Sequence, residues 1–297
     1  MILGDSDGAI SMIDMRTRNA STGASSKGKR GVASNSSSSS GGGGGGFPSG
    51  GYGVKWEARC HPKKVQTVSL NPVSPHYLAT ATLDRAVKIF DLRRLPSGAS
   101  ASGCGGATFD APDFPEVVSF SENYSVNCAM WNPAGDKVVG VVMGPDGGSK
   151  GNLRVYSKPH LMGCSQDGPT PKAKASACQF GAMDGAAASL DHDNKTGRYL
   201  PVFHAAWDPK NHDAFVCGSM TQPRIVEVFS TAAINKGGAS FAPGKRDKKT
   251  MALGCKRVGV LGDGGEYLGS VQSRSAFHPF LDVVVCGNAS GRVHIFK

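Results

Sequence analysis

The sequence predicts an all-β fold made of repeated antiparallel sheets, and three observations carry that prediction. Four segments share one frame of three strands, each with a proline in its first turn and an aromatic residue near its end. The chain is rich in turn formers, with 41 Gly and 17 Pro among 297 residues. No apolar run approaches the roughly 18 residues of a membrane helix, and the N-terminus lacks the basic start and apolar core of a signal peptide. A soluble intracellular protein is expected.

The elements follow in order. Residues 1–16 (MILGDSDGAISMIDMR) read as the end of a second strand, a turn and a third strand, hence a partial blade. The GDSDG inside it fits G-x-S-x-G, but a nucleophile elbow needs a helix after the serine, and AISMIDM reads as a strand. Ser6 is therefore expected to be a turn residue. Residues 17–53 are almost entirely Ser, Gly and Lys/Arg, too poor in apolar groups to offset ordering entropy, and read as a disordered insertion. From 54 to 297 the chain reads as propeller blades, with further small, polar insertions near 96–115, 157–192 and 231–256.

The first full repeat is VQTVSLNPVSPHYLATATLDRAVKIFDLR from Val65, and the second runs from Val126 through VNCAMWNPAGDKVVGVVM to GNLRVYS. The third is FHAAWDPKNHDAFVCGSMTQPRIVEVFS from Phe203 and the fourth is VQSRSAFHPFLDVVVCGNASGRVHIFK from Val271. Their turn prolines are Pro72, Pro133, Pro209 and Pro279, and their closing aromatics are Phe90, Tyr156, Phe229 and Phe296. Proline cannot donate to a ladder, so it belongs between strands. Three consecutive antiparallel strands, with a fourth drawn from each connection, make the blade of a β-propeller. Four full repeats and part of another fall short of the usual closed ring of about seven, so further blades are expected to precede this sequence.

Chemistry is sparse. The eight cysteines form no C-x-x-C pair and no zinc spacing, and Cys217 and Cys286 sit in apolar strands as buried thiols. The glycine run at 41–46 lacks the strand and Gly-Lys-Ser/Thr ending of a phosphate loop. No converging nucleophile and base is found, so neither catalysis, metal nor cofactor is expected. The net charge is +10, from 33 Lys+Arg against 23 Asp+Glu, with clusters at Lys27/Lys29/Arg30, Arg59/Lys63/Lys64, Lys245/Arg246/Lys248/Lys249 and Lys256/Arg257. Such excess favours a polyanionic partner, although loop lysines also simply keep a chain soluble.

The stretches HPKKVQTVSLNPVSPHYLATATLDRAVKIFDLRRL, HDNKTGRYLPVFHAAWDPKNHDAFVCGSMTQPRIVEVF and GGEYLGSVQSRSAFHPFLDVVVCGNASGRVHIF resemble the C-terminal propeller of the WD-repeat DNA-damage-binding proteins of the changed-mutation-rate family. That family is similar in turn to the small subunit of the UV-damaged-DNA-binding complex. The resemblance implies a nuclear, non-enzymatic protein that binds DNA, with preference for damaged duplex, in genome maintenance. It also implies that the loop of Asn194, Lys195, Thr196, Gly197, Arg198 and Tyr199 lies near the minor groove. Lys195 and Arg198 suit phosphates, and Tyr199 suits a weakened base step, although the sequence departs from the damage sensor's apolar-polar-His wedge. His61, Lys63, Lys64 and Arg224 fall on loops expected on the same side.

A second signal is IFDLR, echoed by MIDMR. Asp84, Asp91 and Arg93, and by the echo Asp14 and Arg16, are similar to the Asp-x-Arg box of WD-repeat substrate receptors of cullin-RING ubiquitin ligases, with Phe90 in place of its tryptophan. The arginine would bond bidentately to an acidic adaptor surface. The alternative is that Asp91 and Arg93 only secure their own turn. DNA is thus the first expected partner, with chromatin proteins such as histones and a ligase adaptor behind it.

Overall fold

In the computed structural model the described residues are 1–18, 52–95, 107–110, 115–144, 150–161, 179–180, 186–196, 200–236, 254–262 and 268–297. The strands are β1 (Ile2–Gly4), β2 (Ala9–Arg18), β3 (Tyr52–Arg59), β4 (Val65–Leu70), β5 (Tyr77–Thr82), β6 (Ala86–Asp91), β7 (Ala107–Asp110), β8 (Glu116–Ser121), β9 (Val126–Trp131) and β10 (Lys137–Val142). They continue with β11 (Gly151–Ser157), β12 (Gln179–Phe180), β13 (Ala188–His192), β14 (Ala206–Trp207), β15 (Ala214–Gly218), β16 (Val226–Ser230), β17 (Lys256–Leu261), β18 (Gln272–Phe277), β19 (Val284–Asn288) and β20 (Val293–Phe296). Their sheets are ordered β1-β2-β3-β7, β12-β8-β6-β5-β4, β13-β11-β10-β9, β14-β15-β16-β17 and β18-β19-β20. Within each repeat the strands pair antiparallel with their neighbours in sequence, and β8, β13 and β17 supply the expected fourth strand from the connections.

Two additions were not expected. Inside the connections at 96–115 and 157–192, β7 pairs parallel with β3, and β12 pairs parallel with β8, each extending an outer sheet edge. Residues 19–51, which hold nearly all of the predicted disordered insertion, lie outside the described residues. The described chain resumes at β3, which pairs with β2 and so completes the first sheet.

The core lies between sheets. Ile10, Trp56 and Ala58 of the first sheet pack on Leu78 and Phe90 of the second, whose Tyr77, Ala79, Ala81 and Ile89 pack on Ala129, Trp131 and Val138 of the third. Val139, Val141 and Val155 of the third then meet Phe203, Phe215 and Phe229 on the side of the fourth. Because β5 and β10 are covered on both faces, all of their residues are buried; KVVGVV is apolar after Lys137, and the threonines that alternate in YLATAT are buried with their hydroxyls donating to Lys88 O and Ala86 O. On β20 the burial alternates instead, leaving Val293 and Ile295 exposed.

The innermost strands stand side by side. Ala129 and Trp131 of β9 donate their backbone N–H to Thr67 Oγ1 and Ser69 Oγ of β4, at 2.9 and 3.2 Å. Trp207 of β14 donates its indole N–H to Met130 O at 2.9 Å, and His204 N donates to Ser273 O next to it in β18 at 3.1 Å.

The residue before each turn proline explains why the repeats turn where they do. Asn71 Oδ1 accepts from Val73 N and Ser74 N, Asn132 Oδ1 from Asp136 N and Lys137 N, Asp208 Oδ1 from Lys210 N, and His278 Nδ1 from Phe280 N and Leu281 N. The same turns latch consecutive sheets together. Asn71 Nδ2 donates to Gly135 O at 2.8 Å, Asn132 Nδ2 to His212 O at 3.1 Å, and Lys210 Nζ to Leu281 O at 2.8 Å. Ser6 occupies the turn expected of it, exposed between β1 and β2, where Asp5 Oδ1 accepts from Asp7 N and Ala9 N.

Candidate nucleic-acid interface

The loops expected to carry function join the outer strand of one sheet to the inner strand of the next. One follows β3 and holds His61, Lys63 and Lys64; another follows β13 and holds Asn194 and Lys195. In both places the turn between the second and third strands of the following repeat packs on the loop. Leu83 N donates to Lys64 O, and Met220 N donates to Asp193 O. The second contact brings the 219–225 loop, with Arg224, beside the segment of Asn194 and Lys195.

Lys63 and Lys64 are exposed and Lys195 is half-buried. Arg198 and Tyr199 lie outside the described residues. Three of the other expected contacts sit elsewhere than on the rim. The His61 ring is wholly buried, with Nε2 3.0 Å from Thr80 Oγ1, Nδ1 3.4 Å from Asp84 Oδ2, and its edge on Phe90. It is a support under the lysines rather than a surface contact, and its burial is tolerated because both ring nitrogens keep polar partners in the sheet junction. Asn194 is fully buried, its Nδ2 donating 2.9 Å to Val142 O, and it lies so close to Gly151 that a Cβ there would fall 2.1 Å from its Oδ1. Arg224 is half-buried and curls back on its own loop, donating to Met220 O and Thr221 O.

The Asp-x-Arg pair is engaged within the chain. Asp91 is 2% exposed and caps the 3-10 turn Leu92–Arg94 by accepting from Arg93 N. Arg93 turns its own fork back on the same carboxylate, with Nε 3.0 Å from Oδ1 and Nη2 2.8 Å from Oδ2, and lies over the Tyr77 ring. The bond from Arg93 is the main reason that the Asp91 carboxyl is held below its ordinary range. Asp84 is taken by His61. The echo pair, Asp14 and Arg16, lies in β2, with both side chains outside the described residues.

Two clusters escaped the sequence reading. Tyr156 donates its hydroxyl to Glu122 Oε1 at 2.6 Å, and Arg154 Nη2 lies 3.3 Å from Glu122 Oε2, all three side chains being buried. Burial pushes Glu122 and Tyr156 above their ordinary values. In the fourth sheet Glu227 Oε1 accepts from Arg257 at 2.6 Å, and Oε2 lies 3.1 Å from His192 Nε2. Burial drives Glu227 up, and the His192 and Arg257 contacts more than offset it, so the carboxyl falls below its usual range.

A repeat-wide signal was available for both clusters. His61, Glu122 and His192 each lie at the end of an outer strand or just beyond it, and each meets the closing aromatic of the next repeat, Phe90, Tyr156 or Phe229. Among the described residues no group of three or more His, Cys, Asp or Glu could hold a metal ion. Burial pushes the Cys60, Cys128 and Cys255 thiols up to about 12, far from a reactive thiolate. No helix among the described residues is long and apolar enough to cross a membrane.

No family model matches the chain. It is 29% identical over 235 residues to mouse (Mus musculus) WD repeat-containing protein 76, covering 79% of this chain and 28% of that protein. Xenopus laevis WD repeat-containing protein 76 is 38% identical over 105 residues, covering 35% of this chain and 14% of that protein. DNA damage-binding protein CMR1 of Chaetomium globosum is 27% identical over 234 residues, covering 78% of this chain and 35% of that protein. The chain thus spans about a third or less of the length of these curated relatives. Among solved structures, a chain of the mitotic checkpoint complex superposes with a TM-score of 0.51 at 11% identity, covering all of this chain and 60% of that one, a likeness of fold alone. Sheets, latched turns and relatives agree with the resemblance that the repeats carry: this chain is a WD-repeat β-propeller protein, homologous over most of its length to the proteins named WD repeat-containing protein 76 and DNA damage-binding protein CMR1.

Proposed function

We propose that the chain is a non-enzymatic, nuclear DNA-binding propeller that engages duplex DNA through basic loops on one face, with preference for UV-damaged duplex, in the DNA damage response. The observation that carries this reading is the placement of Lys63, Lys64 and Lys195. They fall on two equivalent connections, each leading into an inner strand, so the repeat itself sets them on a common side. The net charge of +10 supports a polyanionic ligand, and a relative bears the name DNA damage-binding protein. Lysines at the rim supply phosphate contacts, which position a protein on duplex without reading its sequence. Arg198 and Tyr199 complete the proposed contact, with Tyr199 at the step weakened by a lesion.

The test is fluorescence anisotropy on UV-irradiated and intact duplexes at two salt concentrations. Each lysine that neutralises a phosphate contributes about −0.9 to the slope of log K against log salt. The double variant Lys63→Ala/Lys64→Ala should therefore flatten the slope by nearly two, and Arg198→Ala/Tyr199→Ala should remove the preference for irradiated duplex. Absence of binding to either duplex at low salt would end the DNA reading.

A second reading, a substrate receptor for a cullin-RING ligase, draws on Arg93 and Arg94, whose side chains are 58% and 63% exposed beside the buried Asp91. Histones and other chromatin proteins are the substrates that such a basic, nuclear receptor would meet first.

A further inference from the structure

Arg274 lies in β18, the innermost strand of the fifth sheet, and its side chain reaches back toward the fourth. Its Nη1 donates 3.0 Å to the carbonyl of Val202, in the connection between β13 and β14 that also carries Asn194 and Lys195. Beside it, His204 N donates to Ser273 O at 3.1 Å. The connection is therefore tied down near its start by Asn194 Nδ2 on Val142 O, and near its finish by Val202 and His204 on β18. The guanidinium stands where the loop assigned to DNA returns to the innermost strands.

The second observation is electrostatic. Arg274 is exposed, spends one N–H on Val202 O, and has no ion pair among the described residues. Its titratable neighbours carry no charge near neutral pH. Burial first and then Arg274 lower His204 to about 4, and burial holds the Cys128 thiol of β9 up at about 12. Burial also lowers Arg274 from its ordinary value, with no carboxylate beside it to raise it, yet a guanidinium stays a cation. A cation partly stripped of water and left without a counter-ion gains more from an incoming anion than a fully hydrated one, because the attraction strengthens as the dielectric falls. Four of its five N–H groups remain for that anion, in the fork geometry that matches phosphate oxygens.

We infer that Arg274 is a phosphate-binding residue of the DNA face, holding Val202 O with one N–H and a backbone phosphate of the duplex with the others. The inference rests on the DNA reading and carries the contact surface from the lysine rim to the innermost strand of the fifth sheet. A phosphate contact reads no base, so Arg274 adds affinity for intact and irradiated duplex alike. Preference between the two stays with Arg198 and Tyr199. An arginine that only staples the connection behaves differently, because the bond to Val202 O needs a donor and no charge.

The experiment is anisotropy titration of the full chain on intact and UV-irradiated duplex over a series of salt concentrations, well below each variant's unfolding midpoint. Arg274→Gln keeps a donor for Val202 O and loses the charge, whereas Arg274→Lys keeps the charge. Arg274→Gln should flatten the slope of log K against log salt by about 0.9 and weaken binding to both duplexes by roughly eightfold at about 0.1 M salt. Arg274→Lys should keep the wild-type slope. Lys158→Gln removes an exposed cation from the opposite end of the strands and should leave the slope unmoved, which separates a local contact from an effect of net charge. A wild-type slope in Arg274→Gln, an equal flattening in Lys158→Gln, or a loss confined to irradiated duplex would each overturn the inference. In those cases the DNA reading still stands if Lys63→Ala/Lys64→Ala flattens the slope, whereas a wild-type chain that binds neither duplex removes both.

Discussion

Replacing Gly135 by alanine tests whether the turn latch holds the sheets together. Gly135 has a φ of 69°, and a Cβ built on it falls 2.4 Å from Asn71 Oδ1 and 3.1 Å from both Asn71 Cγ and Nδ2. The left-handed conformation costs an L residue about 1 to 2 kcal/mol. The clash must also move an amide that accepts from Val73 N and Ser74 N and donates to Gly135 O. Losing two or three neutral bonds of about 1 kcal/mol each brings the total to roughly 3 to 5 kcal/mol. Gly291 is the matched control, with a φ of 77° and nothing within 4 Å of its Cβ, so Gly291→Ala should lose only the conformational part, about 1 to 2 kcal/mol. Urea denaturation followed by circular dichroism reads both, with the shift in midpoint at constant slope giving the difference. Equal destabilisation of the two variants would show that the Asn71 amide gives way without loss and that the latch contributes nothing.

Two further outcomes follow from buried groups. Burial first, then the nearby Arg274, lower the His204 pKa to about 4, so between that value and its unfolded value near 6.5 the unfolded chain binds the extra proton. Stability should therefore rise with pH across this window, by about 2 to 3 kcal/mol from this residue, and His204→Gln should flatten the rise in urea midpoints measured from pH 4.5 to 7; an unchanged rise would refute the assignment. Tyr156→Phe removes the 2.6 Å bond to buried Glu122 and should cost about 1 to 3 kcal/mol in the same denaturation assay, while a loss below 0.5 kcal/mol, roughly the scale of a neutral surface change, would mean that Arg154 alone satisfies the carboxylate.

The frame of the fold is legible in the sequence because one turn recurs with its own chemistry. Asn71, Asn132, Asp208 and His278 each precede the turn proline and each cap the turn from a side-chain acceptor, so the dipeptides N-P, D-P and H-P mark the same corner four times. The outer strands are harder to see. β17 has the burial of an edge, with Lys256, Arg257 and Val258 all exposed, and an edge strand needs no apolar alternation to be paired. β7 and β12 are harder still, because a short parallel strand added at an edge is held by backbone bonds that any residue can make. For the site, sequence reasoning places Lys63 and Lys64 on an exposed loop but misreads His61 and Asn194. A histidine or asparagine in a basic loop reads as a contact. Thr80, Asp84 and Phe90 for the one, and Val142 O for the other, draw those polar groups inward, and none of those partners is near in sequence.

Arg93 is where the two functional readings part. A bidentate bond to an acidic adaptor needs the fork that Asp91 already holds at 3.0 and 2.8 Å, and a guanidinium that leaves would strip a carboxylate that is 2% exposed of its best partner. Arg94 Nε at 3.7 Å is a poor substitute. The adaptor contact, if made, therefore uses the outer edge of Arg93 while the inner edge stays on Asp91, and the pair acts as one unit. Under this arrangement Arg93→Lys, which keeps the charge but not the fork, should lower the urea midpoint and weaken capture of a purified cullin adaptor together. If the arginine only secures the 3-10 turn, Arg93→Lys should lower the midpoint while capture at a temperature well below unfolding stays at the wild-type level. Capture lost with the midpoint unmoved would refute both versions, because it would mean that the bonds to Asp91 do not hold the residue in solution.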